Sequence, residues 1–178
     1  MAEKNLWNDG WEFTERALED MEKQLPHIRE IPAEQWRTVE LPHDWLISDT
    51  TALYRNSIGW YRKRYVIQKA ENMEYLLRFD GVYMDSTVYC NGEKVMECKY
   101  GYSMFEADLT PFIRDGENEV YVRMVYQAPN SRWYSGAGIY RDVWLKERQA
   151  THLVSDGIYI TPERNADESW KVKNCTEI

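Results

Sequence analysis

The segment Ser131–Val143, SRWYSGAGIYRDV, gathers aromatic, cationic and small residues where a plain strand would alternate. Trp133, Tyr134 and Tyr140 offer flat apolar faces, Arg132 and Arg141 offer donors in a fixed fork, and the Ser-Gly-Ala-Gly run allows close backbone approach. That chemistry suits a hydroxylated ring. Aromatic faces take the C–H side of a sugar, while planar polar groups bind hydroxyls that are costly to bury unpaired. The same residues would also serve as an aromatic-packed corner of a sandwich. A second place with chemical potential is Pro42-His43-Asp44-Trp45, a compact corner. There His43 reads either as a general base or, more commonly for adjacent histidine and aspartate, as half of a hydrogen-bonded structural pair.

The chain of 178 residues is long enough for one domain with some remainder and for a sizeable core. Its formal charge of -8 and pI near 5.0 argue against nucleic acid as partner, because phosphate binding needs clustered Lys and Arg. No apolar run is long enough to span a bilayer, and the opening MAEKNLWNDG lacks the apolar stretch of a signal peptide. The expectation is a cytoplasmic location without membrane partner, with export left open for a trimmed chain. Cys90, Cys98 and Cys175 are an odd set without metal-ligand spacing and read as small hydrophobes or free thiols. Asn174-Cys175-Thr176 matches a glycosylation acceptor and carries little weight without a secretion signal. Eight Trp and thirteen Tyr against four Phe favour aromatics with a polar handle, most of them serving a pleated β face.

These residues must be positioned by strands. Between 58 and 146 short β-type runs alternate with turns at sandwich spacing rather than in βαβ units. Predicted strands are Trp60 to Ile67, Tyr75 to Phe79, Ser86 to Cys90, Lys94 to Glu97, Met104 to Asp108, Glu119 to Tyr126 and Arg141 to Lys146. Asn91-Gly92 is a hairpin signal, and Val120, Val122, Met124 and Tyr126 fall on one face of their strand. The first forty residues are less regular: Glu15 to Glu30 reads as a charged loop with at most a turn of helix, and Pro32 to Trp36 as a helical turn leading into Thr38 to Leu41. Asp44, Asp80 and Asp85 are candidates for holding corners, Arg141 and Asp142 for a structural pair, and Trp45, Tyr61 and Tyr83 for core or corner. From Ala150 onward the pattern changes. Gly157 to Thr161 and Trp170 to Val172 signal strands that start a second β unit too short to complete a sheet.

Six segments together carry a family resemblance: WNDGWEFT at 7 to 14, LPHDW at 41 to 45, GWYRKRY at 59 to 65, FDGVYMDSTVYCNGEKV at 79 to 95, GYSMFEADLT at 101 to 110, and SRWYSGAGIYRDVWL at 131 to 145. Their order and spacing resemble the N-terminal sugar-binding domain of glycoside hydrolase family 2, which includes β-galactosidases, β-glucuronidases and β-mannosidases. The resemblance covers about residues 5 to 148. It implies an all-β fold, a jelly-roll β-sandwich of the galactose-binding-domain type over 1–149. Residues 150–178 would then be a linker and the truncated start of an immunoglobulin-like domain, with a (β/α)8 barrel beyond.

Retaining glycosidases need two carboxyl groups about 5 Å apart. In the family both are barrel glutamates, so the resemblance implies no catalytic residue in this chain and no hydrolysis by it alone. It does imply a wall of the terminal-sugar subsite. Asn56, in NSIGWY, matches the asparagine that family β-galactosidases present to the terminal sugar, and an amide can accept from one hydroxyl while donating to another. Ser131, Arg132, Trp133 and Tyr134 match the second loop. Relatives carry an aspartate just before its aromatic where this chain has Ser131-Arg132, and the guanidinium could serve a substrate carboxylate or brace the loop. Asn56 could equally be a turn residue, and Trp133 and Tyr134 could pack on the immunoglobulin-like domain.

The implied partners are a β-linked sugar or oligosaccharide, the downstream domains and further copies in a homo-oligomer. No cofactor is expected within this stretch; Mg²⁺ or Na⁺ would belong to the parent enzyme. Two other classes remain: a free-standing carbohydrate-binding module, which would need Trp133 and Tyr134 exposed and coplanar, and an assembly domain with an exposed aromatic interface.

Overall fold

A computed structural model describes residues 3–19 and 25–178. Among them the chain forms β1 (Glu3–Leu6), β2 (Trp11–Ala17), α1 (Leu25–Arg29), a 3-10 turn (Ala33–Gln35), β3 (Arg37–Val39), β4 (Ser57–Ile67), β5 (Met73–Phe79) and β6 (Ser86–Cys90). There follow β7 (Glu93–Cys98), β8 (Phe105–Asp108), β9 (Gly116–Tyr126), β10 (Val143–Gln149), β11 (Ile158–Arg164) and β12 (Trp170–Thr176). A six-stranded sheet in the order β3-β2-β4-β9-β6-β7 faces a four-stranded sheet in the order β1-β10-β5-β8. Every pairing is antiparallel. This is the expected jelly-roll sandwich.

Alternation drives the core. In β9, Val120, Val122, Met124 and Tyr126 are buried between the sheets with Trp11, Phe13 and Tyr61 of the same sheet and Leu77, Phe79 and Val143 of the other. The opposite face of β9 is buried too, which the one-face expectation did not include. Tyr121 and Val125 join Ile58 and Trp60 of β4 beneath Leu25, Ile28 and Trp36, so α1 and the 3-10 turn cover the outside of the larger sheet. Asn91 and Gly92 take φ of 50° and 94°, the left-handed pair that a two-residue hairpin requires. The Asn91 side chain also accepts from the backbone N–H of Glu119 at 3.1 Å.

The N-terminal region departs from expectation. Residues Glu15 to Ala17, read as loop, belong to β2, which lies inside the larger sheet. The remainder of that predicted loop holds α1, while residues 20–24 of it lie outside the described residues. Charge hid the strand, because its acids are held by basic partners far away in sequence. Glu12 takes two bonds from the buried Arg62 directly opposite, at 2.7 and 3.1 Å, and Glu15 takes two from Arg55 at 2.9 Å each. A carboxylate with such a partner belongs in a sheet; an unpaired one is costly.

The last ladder strand starts at Val143 rather than Arg141. Asn8 closes its start, accepting from the Val143 N–H at 2.9 Å and donating to Asp142 Oδ1 at 2.9 Å. Asp142 is thus engaged by Asn8, and Arg141 instead lies against the Tyr140 ring at 5.3 Å, so the expected Arg141–Asp142 pair is replaced.

After β10 the chain is stapled to the smaller sheet through Ser155, whose hydroxyl receives Lys146 Nζ at 2.7 Å and donates to Glu106 Oε2 at 3.0 Å. β11 and β12 then pair with each other, Ile158 opposite Thr176 through Arg164 opposite Trp170. The two terminal strand signals therefore complete a sheet of their own, two-stranded and exposed along both strands.

Candidate functional site: a loop rim at one end of the sandwich

Four connections meet at the end of the sandwich where β4 begins and β9 finishes: 40–56, 80–85, 99–104 and 127–142. Glycines set the longest of them. Gly138 has φ of 144°, and a Cβ there would lie 2.1 Å from the His43 carbonyl oxygen. Gly138 and Tyr83 exchange backbone hydrogen bonds at 2.9 Å, while His43 and Trp45 donate their N–H groups to Ile139 and Ala137. Three connections are thereby laced together. Asp44 adds a side-chain knot, its Oδ1 accepting from the N–H groups of Leu46 at 3.0 Å and Ala137 at 3.1 Å.

His43 and Asp44 do not pair with each other. The His43 ring meets the Tyr61 hydroxyl at 2.5 Å, and Asp44 Oδ2 receives the Tyr134 hydroxyl at 2.6 Å. Burial, reinforced by the Arg37 charge, pulls His43 down to about 4 and keeps the ring neutral near pH 7. Burial raises the Tyr61 phenol well above its usual range. The corner is thus structural, with different partners from the neighbour pair expected. Asp80 also holds a corner, receiving Arg78 Nε and Trp144 Nε1, each at 2.8 Å.

The predicted site residues are brought to this rim. Asn56 is exposed, and its Oδ1 accepts from the Ala128 N–H at 2.7 Å, tying the start of β4 to the loop that leaves β9. The Ser131 hydroxyl donates to the Trp133 carbonyl at 2.5 Å and lies 2.6 Å from the Ser135 hydroxyl, a local clasp that turns the loop tip. Trp133 is 64% exposed and donates its indole N–H to the Tyr102 hydroxyl at 3.4 Å. Tyr134 is half-buried against Asp44, so it does not share an exposed platform with Trp133. Burial, then Asp44, raises the Tyr134 phenol and keeps it a donor. Arg132 is exposed and forms no ion pair with any described residue, so its guanidinium does not brace the loop through a carboxylate.

Tyr102, Tyr100 and Asn130 were missed by sequence reasoning as part of this rim. The signal available for the tyrosines was the KYGYSMF stretch, two tyrosines astride a glycine. No group of three His, Cys, Asp or Glu side chains among the described residues is close enough to hold a metal ion. Three surface clefts lie elsewhere, one beside Arg64 and Arg114, one beside Trp36 and Ser48, one beside Arg148 and His152.

Two facing antiparallel sheets whose loops display amide, hydroxyl and aromatic groups at one end define a jelly-roll β-sandwich module. Residues 26–149 match the model of the sugar-binding domain of glycosyl hydrolases family 2. The chain belongs to that family. It is 40% identical over 152 residues to β-galactosidase BoGH2A of Bacteroides ovatus, covering 78% of this chain and 18% of that protein. It is 31% identical over 160 residues to a β-glucuronidase of Bacteroides fragilis, covering 80% of this chain and 22% of that protein. A crystal structure of a glycosyl hydrolase family 2 member from Bacteroides cellulosilyticus superposes with a TM-score of 0.75 at 33% identity, covering 89% of this chain and 22% of the other. The chain thus spans about a fifth of the length of these relatives.

Proposed function

We propose that this chain is the non-catalytic sugar-binding portion of a retaining β-glycosidase, of β-galactosidase type, that supplies one wall of the terminal-sugar subsite and buttresses a catalytic barrel. The observation that carries the reading is the joining of Asn56 to the 127–142 loop through the 2.7 Å bond to Ala128, which sets two separate sequence signals on one rim. The exposed Asn56 amide then serves sugar hydroxyls, Trp133 offers a ring face, and Ser131 and Tyr134 shape the loop. The 40% identity to a β-galactosidase favours galactose as the terminal ring.

In this reading 1–149 are the sandwich and 150–178 lead into an immunoglobulin-like domain whose first hairpin is β11–β12. The acid/base and nucleophile glutamates belong to the barrel, so residues 1–178 alone are inactive. A few hydroxyl contacts from one wall do not offset the 4 to 15 kcal/mol lost on association, so a single ring binds this chain weakly.

Arg132 favours a second reading. An exposed guanidinium without an acidic partner among the described residues, two residues before Tyr134, suits a sugar carboxylate, and a β-glucuronidase is among the relatives. In the enzyme containing this domain, Asn56→Ala should lower kcat/KM for a small β-galactoside by about ten- to a hundredfold, about 1.4 to 2.7 kcal/mol of transition-state binding. Unchanged kcat/KM would overturn the subsite role, and changed oligomer size with normal turnover would favour the assembly reading. Arg132→Ala that weakens β-glucuronides but not β-galactosides would favour the acidic sugar.

A further inference from the structure

The connection between β7 and β8 carries Tyr100 and Tyr102, which the terminal-sugar reading leaves without a role. They are 65% and 45% exposed beside the exposed Trp133. Single exposed aromatics are ordinary, but these three are in contact. The Tyr100 and Tyr102 rings lie 5.7 Å apart at 64°, and Trp133 reaches the Tyr102 hydroxyl through its indole N–H.

The shelf is built from beneath. Tyr102 packs edge-on against Tyr83 at 5.3 Å and 67°, and the Tyr140 hydroxyl donates to the Gly101 carbonyl at 2.8 Å. Gly101 is buried so closely on Tyr83 that a Cβ would lie 2.3 Å from a ring carbon. Tyr83 in turn donates to Asn130 Oδ1 at 3.2 Å, linking the turn to the 127–142 loop. The exposed rings therefore stand on a preorganised support, which lowers the ordering cost of binding.

We propose that Tyr100, Tyr102 and Trp133 form an aromatic shelf that receives the pyranose rings of a β-linked oligosaccharide beyond the ring held at the Asn56 rim. The proposal rests on the sugar reading of that rim. Hydrogen-bonding atoms are interleaved with the ring faces: the Tyr102 hydroxyl, the Trp133 indole N–H and the Ser131–Ser135 hydroxyl pair. Ring faces accept C–H groups while those tips serve hydroxyls. Each further ring adds contacts without a second loss of rotational and translational freedom, so affinity climbs with chain length.

The test uses this chain, isotopically labelled, titrated with β-1,4-linked galactose and glucose oligomers of one to four rings. The readout is the indole N–H resonance of Trp133, assigned with Trp133→Phe. The expected result is a Trp133 shift that grows with ring number, with affinity rising about tenfold or more from one ring to four. Tyr102→Ala and Tyr100→Ala, surface changes that leave the fold intact, should return the four-ring ligand to single-ring affinity. Equal response to one and four rings, or no Trp133 response up to about 50 mM, overturns the shelf. So does a Trp133 resonance that moves with protein concentration as the mass doubles, which assigns the patch to a second copy. Asn56→Ala separates the two readings: a single-ring response unchanged by Asn56→Ala, with length dependence kept, fails the rim alone, whereas flat length dependence with a single-ring response that Asn56→Ala abolishes fails the shelf alone.

Discussion

The Tyr134 hydroxyl donates to Asp44 Oδ2 at 2.6 Å, closing a contact between residues 90 positions apart. The same carboxylate receives the Leu46 and Ala137 N–H groups, so one side chain holds the corner before β4 and the loop before β10 in a single geometry. Asp44→Ala orphans three donors and should cost about 2–4 kcal/mol, while Tyr134→Phe should cost about 1 kcal/mol. Urea denaturation measures both. Equal small effects would show that the knot contributes little to the fold.

His43 predicts the acid limb of stability. Its folded value of about 4 lies below the ordinary 6.5, so between those pH values the unfolded chain binds a proton that the folded chain does not. Stability therefore falls as pH drops from about 6.5 to about 4, and this contribution is level below that. After discounting for its partial exposure, the loss is on the order of 1–2 kcal/mol, several degrees in melting temperature. Melting curves of the native chain and His43→Gln should converge as pH falls through this window; parallel curves would remove His43 as the cause.

Two glycines with positive φ separate crowding from backbone strain. At Gly138 a Cβ would meet the His43 carbonyl at 2.1 Å, whereas at Gly116, φ 89°, no atom lies within 4 Å. Gly116→Ala should cost about 1–3 kcal/mol of conformational strain. Gly138→Ala should exceed about 4 kcal/mol and leave little folded protein. Thermal melts or soluble yield compare the two, and similar outcomes would contradict the close approach.

Arg62 is buried, stacks at 4.1 Å over the Trp36 ring and relies on Glu12 for neutralisation. Glu12→Ala should cost about 3–5 kcal/mol by stranding that charge, whereas Glu12→Ala with Arg62→Met should recover much of it. The bond to Arg62 holds the Glu12 carboxyl below its usual value, so this contribution is full above the ordinary range and lost as pH falls through the lowered one. A double-mutant cycle decides, and additive losses would mean the pair is uncoupled.

The sandwich was legible where β-type runs are bounded by turn signals, as in β6, whose limits Ser86 and Cys90 match the sequence expectation and which the Asn91-Gly92 turn closes. It was illegible in β2, because Glu12, Glu15 and Arg16 look like loop residues until Arg62 appears across the ladder and Arg55 reaches Glu15 from the connection before β4. Local sequence contains no record of a partner fifty positions away. The rim followed the same division. Asn56 and the Trp133 loop carry distinctive residue types, but the support from Asp44, Tyr83 and Asn130 depends on long-range closure. His43 and Asp44 show the limit most clearly, since adjacency suggested a mutual pair and the fold turns each toward a different tyrosine.

The terminal hairpin has a practical consequence for anyone handling the chain in solution. The register of β11 and β12 puts Ile158, Ile160, Pro162, Val172 and Trp170 on one side, uncovered, and leaves two free strand edges. Such a ribbon is a template for strand addition between molecules, a route to aggregation that charge or a covering layer normally blocks. Shortening the chain to residue 156 keeps the Ser155 staple while removing the adhesive ribbon. The shortened form should stay monodisperse at concentrations where the full chain self-associates, which makes it the better sample for weak-ligand titrations at high protein concentration.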